Sequence, residues 1–200
     1  MMFRNLNKKD GWMISFFKKM YLLIFIVSAS MSTANAAETI INHASAISPI
    51  SSSDFTVQIN NHPFALGATW NESAKKNAGV QLSESFTGEI PSGESSYKYY
   101  QHHYDGYDVY SSNLLWDKQN RDIDSYIIAQ ITLNKPGVKT ARGISVGDSK
   151  VQLESKYGNG AVDDSDNQYW LYYDGDGKRI LFQIERGKVS HIMMVFNIDD

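Results

Sequence analysis

Phe55, Val57 and Ile59 alternate with Thr56 and Gln58, the two-residue period of a half-buried strand, and Asn60-Asn61 follows as a turn. Further along, one short pattern occurs twice. Gly67-Ala68-Thr69-Trp70-Asn71-Glu72 and Gly147-Asp148-Ser149-Lys150-Val151-Gln152 both read G-x-[ST]-x-x-[EQ], 80 residues apart. This is a helix start: Thr69 or Ser149 caps through its hydroxyl, and Glu72 or Gln152 reaches back to the N–H of the cap. Gly79 and Gly158 then stand where helices close on glycine. Helices this short hold only when docked on something else. After each comes a polar loop and then three stretches of strand character. These are 97–104, 107–116 and 123–133 in the first half, and 168–173, 179–184 and 188–196 in the second. Asp105-Gly106, the run DKQNRD (117–122), Asp174-Gly175-Asp176-Gly177 and Glu185-Arg186-Gly187 supply the turns. The expected fold is therefore α+β: two tandem helix-β-β-β units forming a mostly antiparallel sheet, with short helices on one face.

The boundaries follow from the same pattern. Residues 55–133 form the first unit, 134–143 (NKPGVKTARG) a linker broken by Pro136-Gly137, and 144–200 the second unit. Residues 37–54 are rich in Ser and Ala and make a flexible lead. Ahead of them, Lys8, Lys9, Lys18 and Lys19 precede the apolar run MYLLIFIV (20–27), and the small residues that follow end in Ala34-Asn35-Ala36. That order is a secretory signal peptide over 1–36, with cleavage expected after Ala36 and translation starting at Met1 or Met13. The apolar run is shorter than the ~20 residues a spanning helix needs, so the mature chain is expected not to span a membrane. Periplasm and secretion are equally compatible with this leader.

Composition narrows the chemistry. The 200 residues hold 19 Lys and Arg, 22 Asp and Glu, and no Cys. Without Cys there is no disulfide, no thiolate ligand or nucleophile, and no lipid anchor through Cys. Removing 1–36 leaves 14 basic and 21 acidic residues, a net charge of −7 where the full chain has −3. That balance argues against nucleic acid and favours a basic partner.

The run GISVGDSKVQLESKYGNG (143–160), followed by a Tyr-rich hairpin, resembles the small α/β unit of the SmpA/BamE outer-membrane-assembly lipoproteins. Two such units in tandem resemble the β-lactamase-inhibitory-protein family. The matching positions are Gly147, Ser149, Val151, Tyr157 and Gly158, with Gly67, Thr69 and Gly79 in the first half. The lipidated Cys of the first family and the disulfides of the second are absent here. What the resemblance implies is a fold and a protein-binding habit, without a target.

The aromatic residues are the main candidate for function. Tyr97, Tyr99, Tyr100, Tyr104, Tyr107 and Tyr110 lie close together, and Tyr169, Trp170, Tyr172 and Tyr173 cluster in the second half. Strand neighbours point to opposite faces, so Tyr97 and Tyr99 share one face and Tyr100 and Tyr104 the other, as do Trp170 and Tyr172 against Tyr169 and Tyr173. With one helix per half, part of this set is expected on an uncovered sheet face, where Tyr and Trp make interaction hot spots. The candidate binding residues are Tyr97, Tyr99, Tyr100, Tyr104, Tyr107, Tyr110, Trp170 and Tyr172. Plain strand preference explains Tyr at such positions equally well.

Other clusters carry less. His103 and Asp105 would share a strand face, but a third metal ligand, His62 or His191, has no fixed spacing to them. Asp163, Asp164, Asp166 and Asn167 form one acidic loop and Asp174 and Asp176 another, neither with EF-hand spacing. No G-x-S-x-G, S-x-x-K, H-E-x-x-H or P-loop motif is present. The chain is therefore expected to be an exported, non-catalytic protein-binding module without metal or cofactor, of inhibitor or immunity type, contacting a protein partner through the Tyr-rich sheet face. The alternatives are a glycan- or cell-wall-binding envelope protein, and a hydrolase with an unrecognised site.

Overall fold

The computed structural model describes residues 47–92, 95–164 and 167–197. The proposed signal peptide, most of the lead, and Asp166 lie outside them. Among the described residues ten strands and two α-helices run in chain order. A 3-10 turn, Ser52–Phe55, leads into β1 (Thr56–Ile59) and β2 (His62–Ala65), then α1 (Glu72–Ala78). The strands β3 (Ser83–Ser92), β4 (Ser95–Tyr104), β5 (Tyr107–Ser112) and β6 (Ile127–Leu133) complete the first half. The second half is α2 (Lys150–Tyr157), β7 (Ala161–Asp163), β8 (Trp170–Gly175), β9 (Lys178–Glu185) and β10 (Lys188–Phe196).

The α+β expectation of two helix-β-β-β units is corrected by this order. The described molecule is predominantly β, and each helix is followed by four strands rather than three. Eight strands form one antiparallel sheet in the order β3-β4-β5-β6-β10-β9-β8-β7, and β1 and β2 form a second sheet of their own. The two added strands of the main sheet, β3 and β7, are its edges. Their sequences, SESFTGEIPS and AVD, are mostly polar or short, because an edge strand faces solvent along one side. The halves meet where β6 pairs with β10, Ile131 opposite Met194 and Leu133 opposite Ile192.

Hairpin geometry follows turn chemistry. Asp176-Gly177 (φ 51° and 63°) and Arg186-Gly187 (φ 51° and 75°) are two-residue turns with both central residues left-handed, the type I′ form that matches strand twist. Asn60-Asn61 makes the same turn between β1 and β2. The strand expected over 107–116 stops at Ser112. Ser112 Oγ accepts from the N–H of Leu114, and Leu115 turns left-handed at φ 58°.

The second helix starts as its sequence dictates: Ser149 Oγ accepts from the N–H of Gln152, and Gln152 Oε1 accepts from the N–H of Ser149. The first does not. Asn71, rather than Thr69, caps α1 by accepting from the N–H of Ala74, while Thr69 bridges to Ile127 of β6. Gly79 and Gly158 close the two helices. Replacing Ser149 with Ala should cost about 1 kcal/mol, the usual value of a lost N-cap, read as a lower urea midpoint with unchanged m-value.

The helices contribute little to the core. From α2, Leu153 and Tyr157 are buried, and from α1 only Ala78. The main core lies between the helix-bearing face of the sheet and the β1–β2 hairpin, and includes Phe55, Phe64, Trp70, Phe182 and Ile192. A second, smaller cluster on the far face joins Tyr97, Tyr99, Ile127 and Ala129 with Leu114, against which Leu115 and Trp116 pack.

Candidate binding site at the β3 edge

Strand register separates the eight aromatic candidates. On β4 and β5 the helix-bearing face carries Tyr100, His102, Tyr104, Tyr107 and Val109, and the far face carries Tyr97, Tyr99 and Tyr110. Trp170 and Tyr172 lie on the far face at the other end of the sheet. Six of the eight side chains are buried. Tyr97 and Tyr99 belong to the far-face cluster, and Tyr97 Oη donates to Asp117 Oδ1 at 3.0 Å. Tyr104 and Tyr107 stack at 4.9 Å and 9°, and Tyr107 Oη donates to the carbonyl of Ala78 at the end of α1. Tyr110 and Trp170 are buried on the far face, Trp170 Nε1 donating to Gln168 Oε1 at 3.2 Å. Only Tyr100 and Tyr172 are half-exposed. Tyr172 lies under the Arg179 guanidinium at 4.1 Å, and Asp174 holds that guanidinium through two hydrogen bonds.

The buried phenols have an electrostatic consequence. Burial pushes Tyr104 and Tyr107 up to about 12 from the usual 10, with smaller contributions from Glu84 at Tyr104 and from Tyr104 at Tyr107. A group whose value rises on folding stabilises fully below its unfolded value and loses that contribution as pH climbs through the folded one. Stability should therefore hold to about pH 10 and fall between pH 10 and 12. Tyr104→Phe should soften that alkaline fall in urea titrations across this range; an unchanged alkaline limb would contradict it.

Tyr100 belongs to a site whose other aromatic members lie outside the eight candidates. Its ring meets Phe86 of β3 at 5.3 Å and 57°, and Tyr126, just before β6, at 5.6 Å and 72°. The three form a row across the helix-bearing face that reaches the outer edge of the sheet. Phe86 is 54% exposed, and Leu82 and Val80 in the approach to β3 are 58% and 85% exposed. Tyr126 is half-exposed, its hydroxyl pushed up by burial and by Tyr100. Carboxylates flank the row. Glu84 and Glu89 lie on the same face as Phe86 and Tyr100, since a bulge between Phe86 and Gly88 restores Glu89 to that side. Glu84 is about half-exposed, and Glu89 Oε2 accepts from Ser96 Oγ at 2.8 Å.

Beneath this edge lies a buried polar row. His102 Nε2 and Ser111 Oγ are 2.8 Å apart, His102 Nδ1 is 3.2 Å from Glu84 Oε2 without hydrogen-bond alignment, and the Trp70 ring lies 4.7 Å from the imidazole. Burial holds His102 below its usual value against the opposing pull of Glu84, so the ring is neutral at pH 7. The order Ser–His–Glu is that of a nucleophile, its base and an orienting acid. Ser111 is only 2% exposed, however, and in this conformation a reactant does not reach it. The row joins β3, β4 and β5 and supports the Trp70 segment.

The remaining sequence candidates are held apart. His103 Nδ1 is 2.5 Å from Asp108 Oδ1, whose other oxygen accepts from Asn134 Nδ2 at 2.8 Å, whereas Asp105 pairs with Lys135 at 2.6 Å. Among the described residues no group of three His, Asp or Glu could hold a metal ion. Asp163 and Asp174 lie at opposite ends of β8 by register, opposite Trp170 and Arg179 respectively. No helix among the described residues is long and apolar enough to cross a membrane. No protein family, curated protein or solved structure matches the chain.

Proposed function

We propose that the chain is an exported, non-catalytic protein-binding module, of inhibitor or immunity type, that contacts its partner through the β3 edge. The protein-binding habit implied by the sequence resemblance is thereby assigned to the row of exposed Phe86 and half-buried Tyr100 and Tyr126 rather than to the wider Tyr-rich face, most of whose rings are buried. The observation that carries this reading is the run of exposed apolar side chains, Val80, Leu82 and Phe86, leading into a row of rings. Large aromatic side chains with a polar tip form the energetic centre of protein interfaces, and truncating one commonly costs 2 kcal/mol or more, about thirtyfold in affinity.

The test places a photo-crosslinking amino acid at Leu82 in the full-length chain produced in its own host. A discrete protein adduct is expected, and it should disappear when Phe86→Ser or Tyr100→Ser is added while the melting curve stays cooperative. An adduct pattern indifferent to both substitutions would reject this surface. Binding to a glycan array that depends on Tyr126, with no protein adduct, would replace the protein partner with a sugar.

A further inference from the structure

We infer that the partner presents an extended, basic segment that adds to the outer edge of β3 as a ninth strand, seating an Arg or Lys side chain on the Phe86–Tyr100–Tyr126 row. This rests on the binding-module reading and specifies the chemistry of its partner.

The first argument is the state of the two sheet edges. A free strand edge invites pairing with any other strand, and proteins block it by shortness, lysine, proline or a bulge. At one end of the sheet β7 is only three residues long. At the other end β3 runs for ten, and among the described residues no strand pairs its outer side. Its second half is guarded by the Phe86/Gly88 bulge and by Pro91. Its first half, with Leu82 just ahead of it, has neither device and exposes Leu82 and Phe86. The unguarded stretch is thus the one that carries the apolar side chains, which is the arrangement strand addition uses: main-chain bonds for affinity, alternate side chains for selection.

The second argument is charge. Between Lys76 and Lys98 every charged residue is acidic: Glu84, Glu89 and Glu94. A second copy laid antiparallel along β3 would bring two strands whose charged residues are all acidic side by side, and like charges across strands are unfavourable. A basic segment meets the opposite situation. Glu84 and Glu89 stand on the same face as the aromatic row, and a guanidinium or ammonium over a ring gains from both the π face and the nearby carboxylates. Lys98 sits opposite Glu89 on β4, so Glu84, about half-exposed, is the stronger anchor of the two. Lys75, which acts on His102 through space, is paired with Glu72 at 2.9 Å.

The experiment uses the mature chain and three capped heptapeptides: acetyl-Thr-Val-Arg-Val-Arg-Val-Thr-amide, its twin with Glu in place of Arg, and the Arg peptide with alternate amides N-methylated. Titration calorimetry should rank the Arg peptide at least about tenfold above the Glu peptide, with the N-methylated form not binding, and 0.5 M salt weakening the first. Amide hydrogen exchange should slow over 82–86 with the Arg peptide bound. Glu84→Lys should invert the preference, and Glu89→Lys, which leaves the Glu84–His102 contact in place, should reduce it. Equal binding of the Arg and Glu peptides, protection outside β3, or β3-dependent dimers in sedimentation would each overturn the inference. If the peptides fail while the Leu82 crosslink remains dependent on Phe86, strand addition is wrong and the binding module stands; if both fail, the module reading falls too.

Discussion

Replacing Arg142 with Ala should destabilise the protein by about 3–5 kcal/mol, the cost of stranding one member of a buried ion pair. Arg142 Nε and Nη2 donate to the two oxygens of Asp54 at 2.7 and 2.8 Å, with side-chain exposures of 14% and 6% for the pair. The same guanidinium donates to the carbonyls of Ser48, Pro49 and Lys156, and lies 4.9 Å above the Tyr157 ring. One side chain thereby fastens the segment before β1 to the last turn of α2, where a cation also suits the helix carbonyls. Arg142→Ala leaves the Asp54 carboxylate with only its Ser51 partners and removes the donor from three carbonyls at once. Arg142→Lys should recover little, because an ammonium cannot supply the two-pronged geometry. The pH dependence has a definite sign. Hydrogen bonds from Arg142 hold Asp54 below its usual value of 3.8, against the opposing effect of burial. A lowered carboxylate contributes stability above its unfolded value and loses it as pH falls through the folded one. The Arg142→Ala protein should therefore lose less on acidification below pH 3.8 than the wild type does, having already lost the pair. Urea titrations at neutral and acid pH measure both effects. A loss under about 1 kcal/mol at neutral pH, as for an exposed pair, would refute the clamp.

What the sequence disclosed divides by how each segment meets solvent. Strands flanked on both sides, such as β9 and β10, carry near-continuous apolar runs and were legible to within a residue or two, as were the turns whose φ angles demand Asn, Asp or Gly. The capping box at Ser149 was legible because all its partners are local. The edge strands were not. SESFTGEIPS has large apolar residues only at Phe86 and Ile90, with Gly88 between them and Pro91 after, so its pairing with β4 leaves no periodic trace. Missing β3 also hid the candidate site, since Phe86 faces Tyr100 only once the two strands pair in that register. The single signal available was Phe86 itself, a large apolar residue isolated in a polar stretch. Burial of the tyrosines was illegible for a different reason. It depends on chain crossing at a distance, Ala78 over Tyr107 and Leu114 against Tyr97 and Tyr99, which no local period encodes. Thr69 illustrates the same point on a smaller scale. Its hydroxyl fits a cap, but its backbone bridges to Ile127, and the cap passes to Asn71 two residues on. The clamp at Arg142 joins residues 88 apart and had no local sign either.

The second large effect is expected at Phe182. This ring is 0% exposed at the centre of β9 and meets Tyr157 of α2 at 5.0 Å and 60°, and Tyr173 of β8 at 6.0 Å and 82°. Phe182→Ala should cost about 3–5 kcal/mol, through lost transfer energy and the cavity left behind. Phe182→Leu, closer in volume, should cost about 1.5 kcal/mol or less. The difference between the two has a structural reading. The eight-residue α2 has only Leu153 and Tyr157 in the core, so its attachment to the sheet passes through the ring contacts of Tyr157 as well as through the Arg142 clamp. Burial pushes both Tyr157 and Tyr173 up to about 12. Opening a cavity beside them admits solvent, so Phe182→Ala should also bring tyrosine ionisation back toward 10, read as tyrosinate absorbance rising at lower pH. The two readouts separate the causes. Loss of stability without a shift in ionisation would mean that the core closes over the gap, and equal costs for Ala and Leu would mean that Phe182 is not what holds α2 against the sheet. A paired loss, large for Ala and small for Leu, with the ionisation shift present only in the Ala protein, is the result that the packing of three rings around one buried position requires.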